Sequence, residues 1–479
     1  FSTVTGSFYR ARNHVSAERT AQDETGRLLG VRDDYDWTNW SATGSLSRLL
    51  GARAVAALRI RASDHRSDYG YRFGSGGSVA GADALLAALD GLRGADLSHR
   101  LTERAVEAST ALSLGRGREL LASAGVEQIG AEVSAGNSFL EPFTVDEVAW
   151  LGTSHVGARL TRGRAVLEGG VRVTGVPSRA TVYAEPRLSM RLDTDWPGVG
   201  PVAVRVASGL YRQYVNGLAI RSASPAAVVP EVFVWLPVAD GVPAPRSLHL
   251  AADALALPGD RWTVRAEAFG RLDRDVAALD VPRLAAGSGG VLTVGEVVAP
   301  AEGSALGAGV RVERTGPRWS AAAAYSVERV RRSVPGRFDG RAVPVPWEAP
   351  HRLSAEARLA VGRGVSLAGA ARAVWGRPWA ARNAYFDYLL GPDAPAEATL
   401  LAATLDPFER LPLAADMDIA VVVVQPLGLG RVRAQAGIAN VLNRPAIADR
   451  SARSLATPAM TLDRTLAGRR ATLALRVTL

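Results

Sequence analysis

The sequence predicts an all-β chain closed as a transmembrane antiparallel β-barrel, with long extracellular loops and short periplasmic turns. Three observations carry that prediction. Segments in which apolar and polar residues alternate recur along the whole chain, and successive strand side chains point to opposite faces, so each segment has one apolar and one polar face. These segments are about 10–13 residues long, whereas strands of globular proteins run to about 5–6. The connections between them alternate short and long, the layout of a membrane barrel. No uninterrupted apolar run reaches the roughly 18 residues of a transmembrane helix, but barrel strands need only about 9–11 residues each.

Taken in order, Phe1–Arg12 reads as a strand and is followed by a polar loop through Asp33–Asp36. Trp37 and Trp40 open a second strand. Gly51 turns it into Arg53–Ser63, where Leu58, Ile60 and Ala62 oppose Arg59, Arg61 and Ser63. A Gly/Ser-rich loop over His65–Leu101 holds a helical window, Ala82–Leu92. Ala105–Gly117 and Glu119–Gly136 form the next hairpin through a Gly-Arg-Gly-Arg turn, then Glu147–Gly163 turns directly into Arg164–Val176. Thr181–Thr194 and Val202–Val215 follow, then a long irregular stretch over Ala219–Ala244 containing Trp235. In Trp262–Arg274, Trp262, Val264, Ala266 and Ala268 share one face and Thr263, Arg265 and Glu267 the other. Ala305–Arg314, Trp319–Val330, His351–Gly362 and Val365–Gly376 continue the pattern up to a long loop over Trp379–Pro407. Arg431–Ala439 and Thr472–Leu479 close the chain, each with strict alternation. The total is about eighteen strands, read as a single barrel domain over residues 1–479. In lipid every backbone N–H and C=O must find a partner within the chain, which a closed barrel supplies.

Composition narrows the function. The net charge of +9 is carried by Arg alone, spread singly at strand spacing rather than clustered among aromatics, so nucleic acid is not the expected partner. The chain has no Cys, which removes disulfides, thiolate metal sites and cysteine catalysis. Phe1 is not an initiator Met and nothing near it resembles a signal peptide, which fits a mature product or a piece of a longer chain.

No catalytic constellation stands out, and the expectation is that the protein is not an enzyme, with no catalytic, cofactor-binding or metal residues and with ligand-binding residues left unassigned. His14, His65, His99, His155, His249 and His351 lie far apart without metal-ligand spacing and are read as strand-face or solvated residues. Gly115-Arg116-Gly117 and Gly428-Leu429-Gly430 are read as turns, since neither has a third glycine or a following helix. Glu127 and Glu132 are five apart and so face opposite sides of a strand; Asp33/Asp34 is a chance pair. Trp37, Trp40, Trp150, Trp196, Trp262, Trp319, Trp375 and Trp379 lie at or near strand ends, where a membrane barrel places its aromatic girdles. Tyr385, Phe386 and Tyr388 sit in the long loop after Trp379 and are read as packing within it.

The chain resembles the barrel of TonB-dependent outer-membrane receptors, the active transporters of Gram-negative bacteria. The likeness runs over Val182–Leu479. In Tyr183–Leu192 and Arg205–Val215 a Pro-Arg strand precedes a Gly-Leu-Tyr-Arg-Gln strand. Pro245–Leu255, with its His, precedes Trp262–Leu272, and Asn440-Val441-Leu442-Asn443 stands before the final strand. The resemblance implies residence in the cell outer membrane among its lipids, a monomer, and uptake of a scarce small-molecule ligand (siderophore, cobalamin, glycan or peptide). It also implies a periplasmic energy-coupling protein acting through a plug domain. The family barrel has 22 strands against about eighteen here, and the plug has no counterpart in this chain and is expected upstream. The alternatives are a plugless barrel acting as an anion-preferring porin, because rings of Arg give a pore a positive field, or a secreted all-β binding or adhesion protein.

Overall fold

A computed structural model of the chain describes residues 2–22, 28–75, 94–137, 143–221, 231–239, 241–279, 298–335, 340–345, 347–378, 410–427, 430–445, 447–452, 461–465 and 468–478. Its first six strands are β1 (Ser2–Gln22), β2 (Leu28–Leu50), β3 (Ala54–Ser75), β4 (Gly94–Gly115), β5 (Arg118–Asn137) and β6 (Phe143–Arg162). Next come β7 (Ala165–Val176), β8 (Thr181–Trp196), β9 (Gly200–Arg212), β10 (Val215–Arg221), β11 (Glu231–Pro237), β12 (Arg246–Ala256) and β13 (Trp262–Leu279). The remainder are β14 (Val298–Thr315), β15 (Trp319–Ser333), β16 (Val343–Pro344), β17 (His351–Gly362), β18 (Val365–Trp375), β19 (Ala414–Leu427), β20 (Gly430–Ala439), β21 (Ile447–Ala452), β22 (Thr461–Thr465) and β23 (Arg470–Thr478).

Nineteen of these strands form one sheet. It is an antiparallel meander in chain order: β1 to β9, then β12 to β15, β17 to β20 and β23, with two-residue β16 beside the end of β15. β1 and β23 are its lateral edges and are not paired with each other. Two hairpins, β10–β11 and β21–β22, lie outside it. Short turns close one rim, as at Gly51–Arg53, Gly163–Arg164 and Arg363–Gly364. The opposite rim, called the upper rim below, carries the longer connections and one short one, the 3-10 turn Pro177–Arg179.

Register shows which side chains share a face. Leu58, Ile60, Val106, Val126, Val156, Leu188, Met190, Leu250, Leu306, Leu359, Leu367, Val421 and Leu475 are all exposed, and all fall on one face of the sheet. The other face carries Arg61, Glu103, Glu127, Arg187, Glu267, Arg311, Glu356 and Asp418. The charged face is the concave one. The β10–β11 hairpin lies against it and touches β4, β5 and β6 on one side and β13 on the other, which is possible only if the sheet between them rolls around it. A sandwich with a dry core does not leave such an apolar face outside.

The structure corrects several expectations. β1 to β6 are 20–23 residues long, not about 10–13. Their apolar band is short: on β3 the outward run Leu58, Ile60, Ala62 continues as Asp64, Arg66, Asp68. The strands cross the band and project beyond it on the upper side. The polar Asp33–Asp36 segment is therefore strand, paired with β1, and so are the ends of the expected His65–Leu101 loop. Its helical window at Ala82–Leu92 lies outside the described residues. Within the stretch over Ala219–Ala244, expected to be irregular, the described residues include the end of β10 and all of β11, paired as a hairpin. Trp40, Trp150, Trp196, Trp262, Trp319 and Trp375 occupy the outward face, with Arg314 over the rings of Trp262 and Trp319, but Trp37 stands opposite buried Ser67 on the inner face. Trp379 lies outside the described residues.

Two substitutions test this arrangement. Leu188, 56% exposed, faces outward and its neighbour Ser189 inward. Leu188→Arg is expected to lower unfolding stability in lipid vesicles by about 2–4 kcal/mol, and Ser189→Arg by less than half of that. Gly364 has φ +74° and a Cβ there would strike the Val424 carbonyl, so Gly364→Ala should move the denaturation midpoint down by more than the roughly 1 kcal/mol of an ordinary turn glycine.

Candidate functional site

The concave face holds the connection between β9 and β12, which returns to the wall. Beyond β9, Tyr214 is buried and packs with Val238 and Ala244 against Ile129, Leu151 and Val176 of the wall. Leu218, Val234 and Leu236 are buried as well. Apolar burial thus fixes the hairpin, and polar groups set its position. Gly217 is the point of closest approach within it: a Cβ there would meet the Trp235 ring at 2.9 Å.

Glu185, 1% exposed, is the anchor. It accepts hydrogen bonds from Tyr214 Oη at 2.9 Å, Thr174 Oγ1 at 3.4 Å, Arg187 Nη2 at 3.1 Å and the Arg212 backbone N–H at 3.4 Å. The two arginines in turn stack on Tyr211 and Tyr183. Burial pushes the Tyr214 phenol well above its ordinary range, so it stays protonated and keeps donating to Glu185. On the other wall His99, fully buried, lies where β4 projects beyond the apolar band. Its Nε2 is 3.1 Å from both the O and the N of Trp235, while Nδ1 has no partner. Burial pushes His99 below the ordinary histidine value of 6.5; the Trp235 bond raises it and His65 lowers it further. The two rings are 6.0 Å apart, and burial lowers His65 as well.

Away from the hairpin, the inner wall is a lattice of ion pairs. Arg61 bridges Glu103 at 2.7 Å and Glu127 at 3.0 Å, Arg271 meets Asp273 at 2.7 Å, Arg352 meets Glu328 at 3.0 Å and Arg372 meets Asp418 at 3.3 Å. Arg311 pairs with Glu356. A cleft of about 440 Å³ lies on this wall over β14 to β20, its floor made of Ala322, Ala368, Ala370 and Ala420 and its sides of Glu313, Glu356, Arg358, Asp418 and Gln435. Small floor residues and convergent polar groups are what a small polar ligand needs. At the upper rim Glu348, 1% exposed, accepts from Arg331, Arg410 and the Val330 N–H, clasping the β15–β17 and β18–β19 connections together.

The predicted residues distribute themselves as follows. Glu127 faces inward to Arg61 and Glu132 outward toward Arg100, as their spacing requires. Gly115, Arg116 and Gly117 all have positive φ and form a turn; Gly428 and Leu429 lie outside the described residues, as do Tyr385, Phe386 and Tyr388. Asp34 pairs with Arg32. His14 pairs with Asp36 on the outer face, and His351 stacks between Trp375 and Tyr325. Ser247 donates to Asp273 at 2.5 Å and therefore accepts from His249 Nε2 at 2.6 Å. That proton direction is the reverse of what a serine nucleophile needs. Among the described residues no group of three His, Asp or Glu is arranged to hold a metal ion. Asn440 and Asn443 both adopt left-handed φ of 50°. Asn440 bonds across the turn to both backbone groups of Arg444, and Asn443 accepts from the Arg469 N–H. Asn tolerates this conformation and caps it. Glu185, Glu348 and the hairpin were not foreseen, because each depends on strands far apart in sequence.

No known family model matches the sequence, and no curated protein does. Solved structures do. The chain is similar to BauA, the ferric preacinetobactin receptor from Acinetobacter baumannii, with 12% identity and a TM-score of 0.57 over 97% of this chain and 72% of that one. It is similar to the FrpB iron transporter from Neisseria meningitidis, with 10% identity and a TM-score of 0.53 over 99% and 80%. The outer membrane transporter YddB from Escherichia coli matches with 10% identity and a TM-score of 0.52 over 97% and 75%. The likeness shows the fold: the chain has the architecture of the β-barrel of TonB-dependent outer-membrane receptors.

Two expectations follow for the hairpin. Because the folded pKa of His99 lies below 6.5, docking is fully supported above that pH and weakens as pH falls below it, when undocked His99 takes up a proton that the docked ring refuses. Amide exchange over residues 232–238, corrected for its intrinsic pH dependence, should accelerate below pH 6.5, and His99→Gln should remove that response. Glu185→Ala leaves the Tyr214 hydroxyl and the Arg212 N–H without their acceptor. It should speed the same exchange at every pH and cost about 1–3 kcal/mol.

Proposed function

We propose that this chain is the wall of an outer-membrane receptor that takes up a scarce small-molecule ligand by TonB-energised transport. The observation that carries this reading is the division of faces over the whole meander: outward side chains are apolar and exposed, inward ones are charged and mutually paired. A bilayer is the solvent in which such an outer face is stable and the backbone needs every ladder bond. The neighbours support the transport half of the reading. They include receptors and transporters described for ferric preacinetobactin, for iron and for copper. The 440 Å³ cleft on the inner wall is a place where a ligand can pause on its way through. Energy coupling would reach it from a periplasmic partner acting through a plug domain. Local pairing of Arg61, Arg271, Arg311, Arg352 and Arg372 with carboxylates removes much of the positive field on which an anion-preferring pore relies. The exposed apolar face argues against a secreted soluble binder.

The test is electrophoretic and functional. The protein should fractionate with the outer membrane, run fast in SDS without heating and slow to the position of its unfolded form on boiling. Ligand uptake by cells expressing it should stop when a protonophore collapses the inner-membrane gradient. A heat-insensitive band in the soluble fraction would overturn the reading, and uptake indifferent to the protonophore would leave a passive barrel.

A further inference from the structure

Two histidines that the sequence sets far apart meet on the inner wall. His65 of β3 stands across from Leu101, and His99 of β4 across from Ser67, which makes them diagonal neighbours on one face. Their ring centres are 6.0 Å apart. His99 is fully buried where the β10–β11 hairpin meets β4. His65 is half-buried, and its ring carries no hydrogen bond among the described residues. Sequence spacing gives no sign of the pair; the pairing of β3 with β4 creates it.

The hairpin fixes the tautomer of His99. Its Nε2 is 3.1 Å from both the O and the N of Trp235, and Nδ1 has no partner. Were Nε2 the acceptor, Nδ1 would be a buried N–H with nothing to receive it, and orphaned buried donors are rarer than orphaned acceptors. Nε2–H therefore donates to the Trp235 carbonyl, and Nδ1 keeps a bare lone pair. That is the arrangement of a metal-ligating imidazole, whose other ring N–H is held by a backbone carbonyl. The spacing selects the metal. With metal–nitrogen bonds of about 2.0 Å, two ring centres lie about 6.3 Å apart when the bonds are in line and about 5.1 Å apart at the tetrahedral angle. The observed 6.0 Å is close to the linear limit. Zinc takes four ligands in a tetrahedron, and no third His, Asp or Glu joins the pair among the described residues. Glu103, further along the same face of β4, is held by Arg61 at 2.7 Å. A monovalent copper ion is satisfied by two imidazole nitrogens and is far easier to bury than a divalent ion.

We infer that His65 and His99 form a two-coordinate site for a soft monovalent cation, Cu(I), at the contact between the β10–β11 hairpin and β4. His65, the less buried of the two, meets the ion first, and His99 Nδ1 completes the site. A positive ion on Nδ1 strengthens Nε2–H as a donor to Trp235, so loading holds the hairpin against the wall. The chain has no Cys, so no thiolate within it competes for the ion.

The experiment uses the full chain refolded in detergent micelles, with ascorbate and without oxygen, and titrates Cu(I) against the chelator bicinchoninate. Wild type should hold a single Cu(I) per chain, with an X-ray absorption spectrum of two nitrogen neighbours. His65→Gln leaves the contact of His99 with Trp235 in place and should weaken binding by roughly tenfold or more. His155→Gln, on β6 away from the pair, should bind as wild type does. Amide exchange over residues 232–238 should slow by roughly threefold or more when Cu(I) is added to wild type, and stay unchanged in His65→Gln. Equal affinity in wild type and His65→Gln overturns the inference. So does a wild-type spectrum with four neighbours, Zn(II) held as tightly as Cu(I), or no copper retained, and these readings need no variant to fold. None of them bears on the transport reading, which fractionation and uptake decide.

Discussion

The constraint on which the rest of this structure depends is backbone hydrogen bonding without water. A strand in hydrocarbon must pair on both sides, and the long strands between the edges β1 and β23 do so in one antiparallel meander. Pairing between neighbours permits short turns at one rim. It also frees the other rim to carry connections of any length, since nothing there is needed to build the wall. Both the lumenal hairpin and the Glu348 clasp arise from that freedom.

Alternation then does two jobs at once. Turned outward, one residue in two meets lipid; turned inward, the other meets the lumen. The inward set cannot be simply polar, because unpaired charges facing each other across a 4.8 Å strand spacing would repel. Arg61 between Glu103 and Glu127 and Arg372 beside Asp418 show the solution, a wall whose charges are neutralised by neighbours. Glycine has a matching role where an aromatic lies flat on that wall: the Phe269 ring occupies the space that a side chain at Gly307 would fill. The hairpin interior is different in kind. There Glu185 and His99 are both shut away from solvent. One is satisfied by four donors. The other leaves one ring nitrogen idle, so its neutral form is the one that fits.

Much of the wall was legible in the sequence. The alternation in Arg431–Ala439 and Thr472–Leu479, the tight turns at Gly51 and Gly115–Gly117, and the opposition of Glu127 and Glu132 depend on local periodicity alone. Strand length was not legible. The outward face of β3 changes from apolar to charged at Asp64, and a sequence reading takes that change for the end of the strand. Here it marks only the end of the apolar band. Trp37 and Trp40 misled in the same way: three positions apart, they fall on opposite faces of one strand, so only one of them can serve in an outward girdle.

What the sequence determined by itself was the architecture: an all-β chain, its hairpin rhythm and its two faces, because strand periodicity and turn chemistry act over a few residues. What only the tertiary structure decided was what the lumen contains. The bonds from Glu185 to Tyr214, from His99 to Trp235 and from Arg410 to Glu348 join positions 29, 136 and 62 residues apart. The hairpin reaches these partners only after the sheet has rolled. No local pattern encodes that curvature, since it belongs to the sheet as a whole.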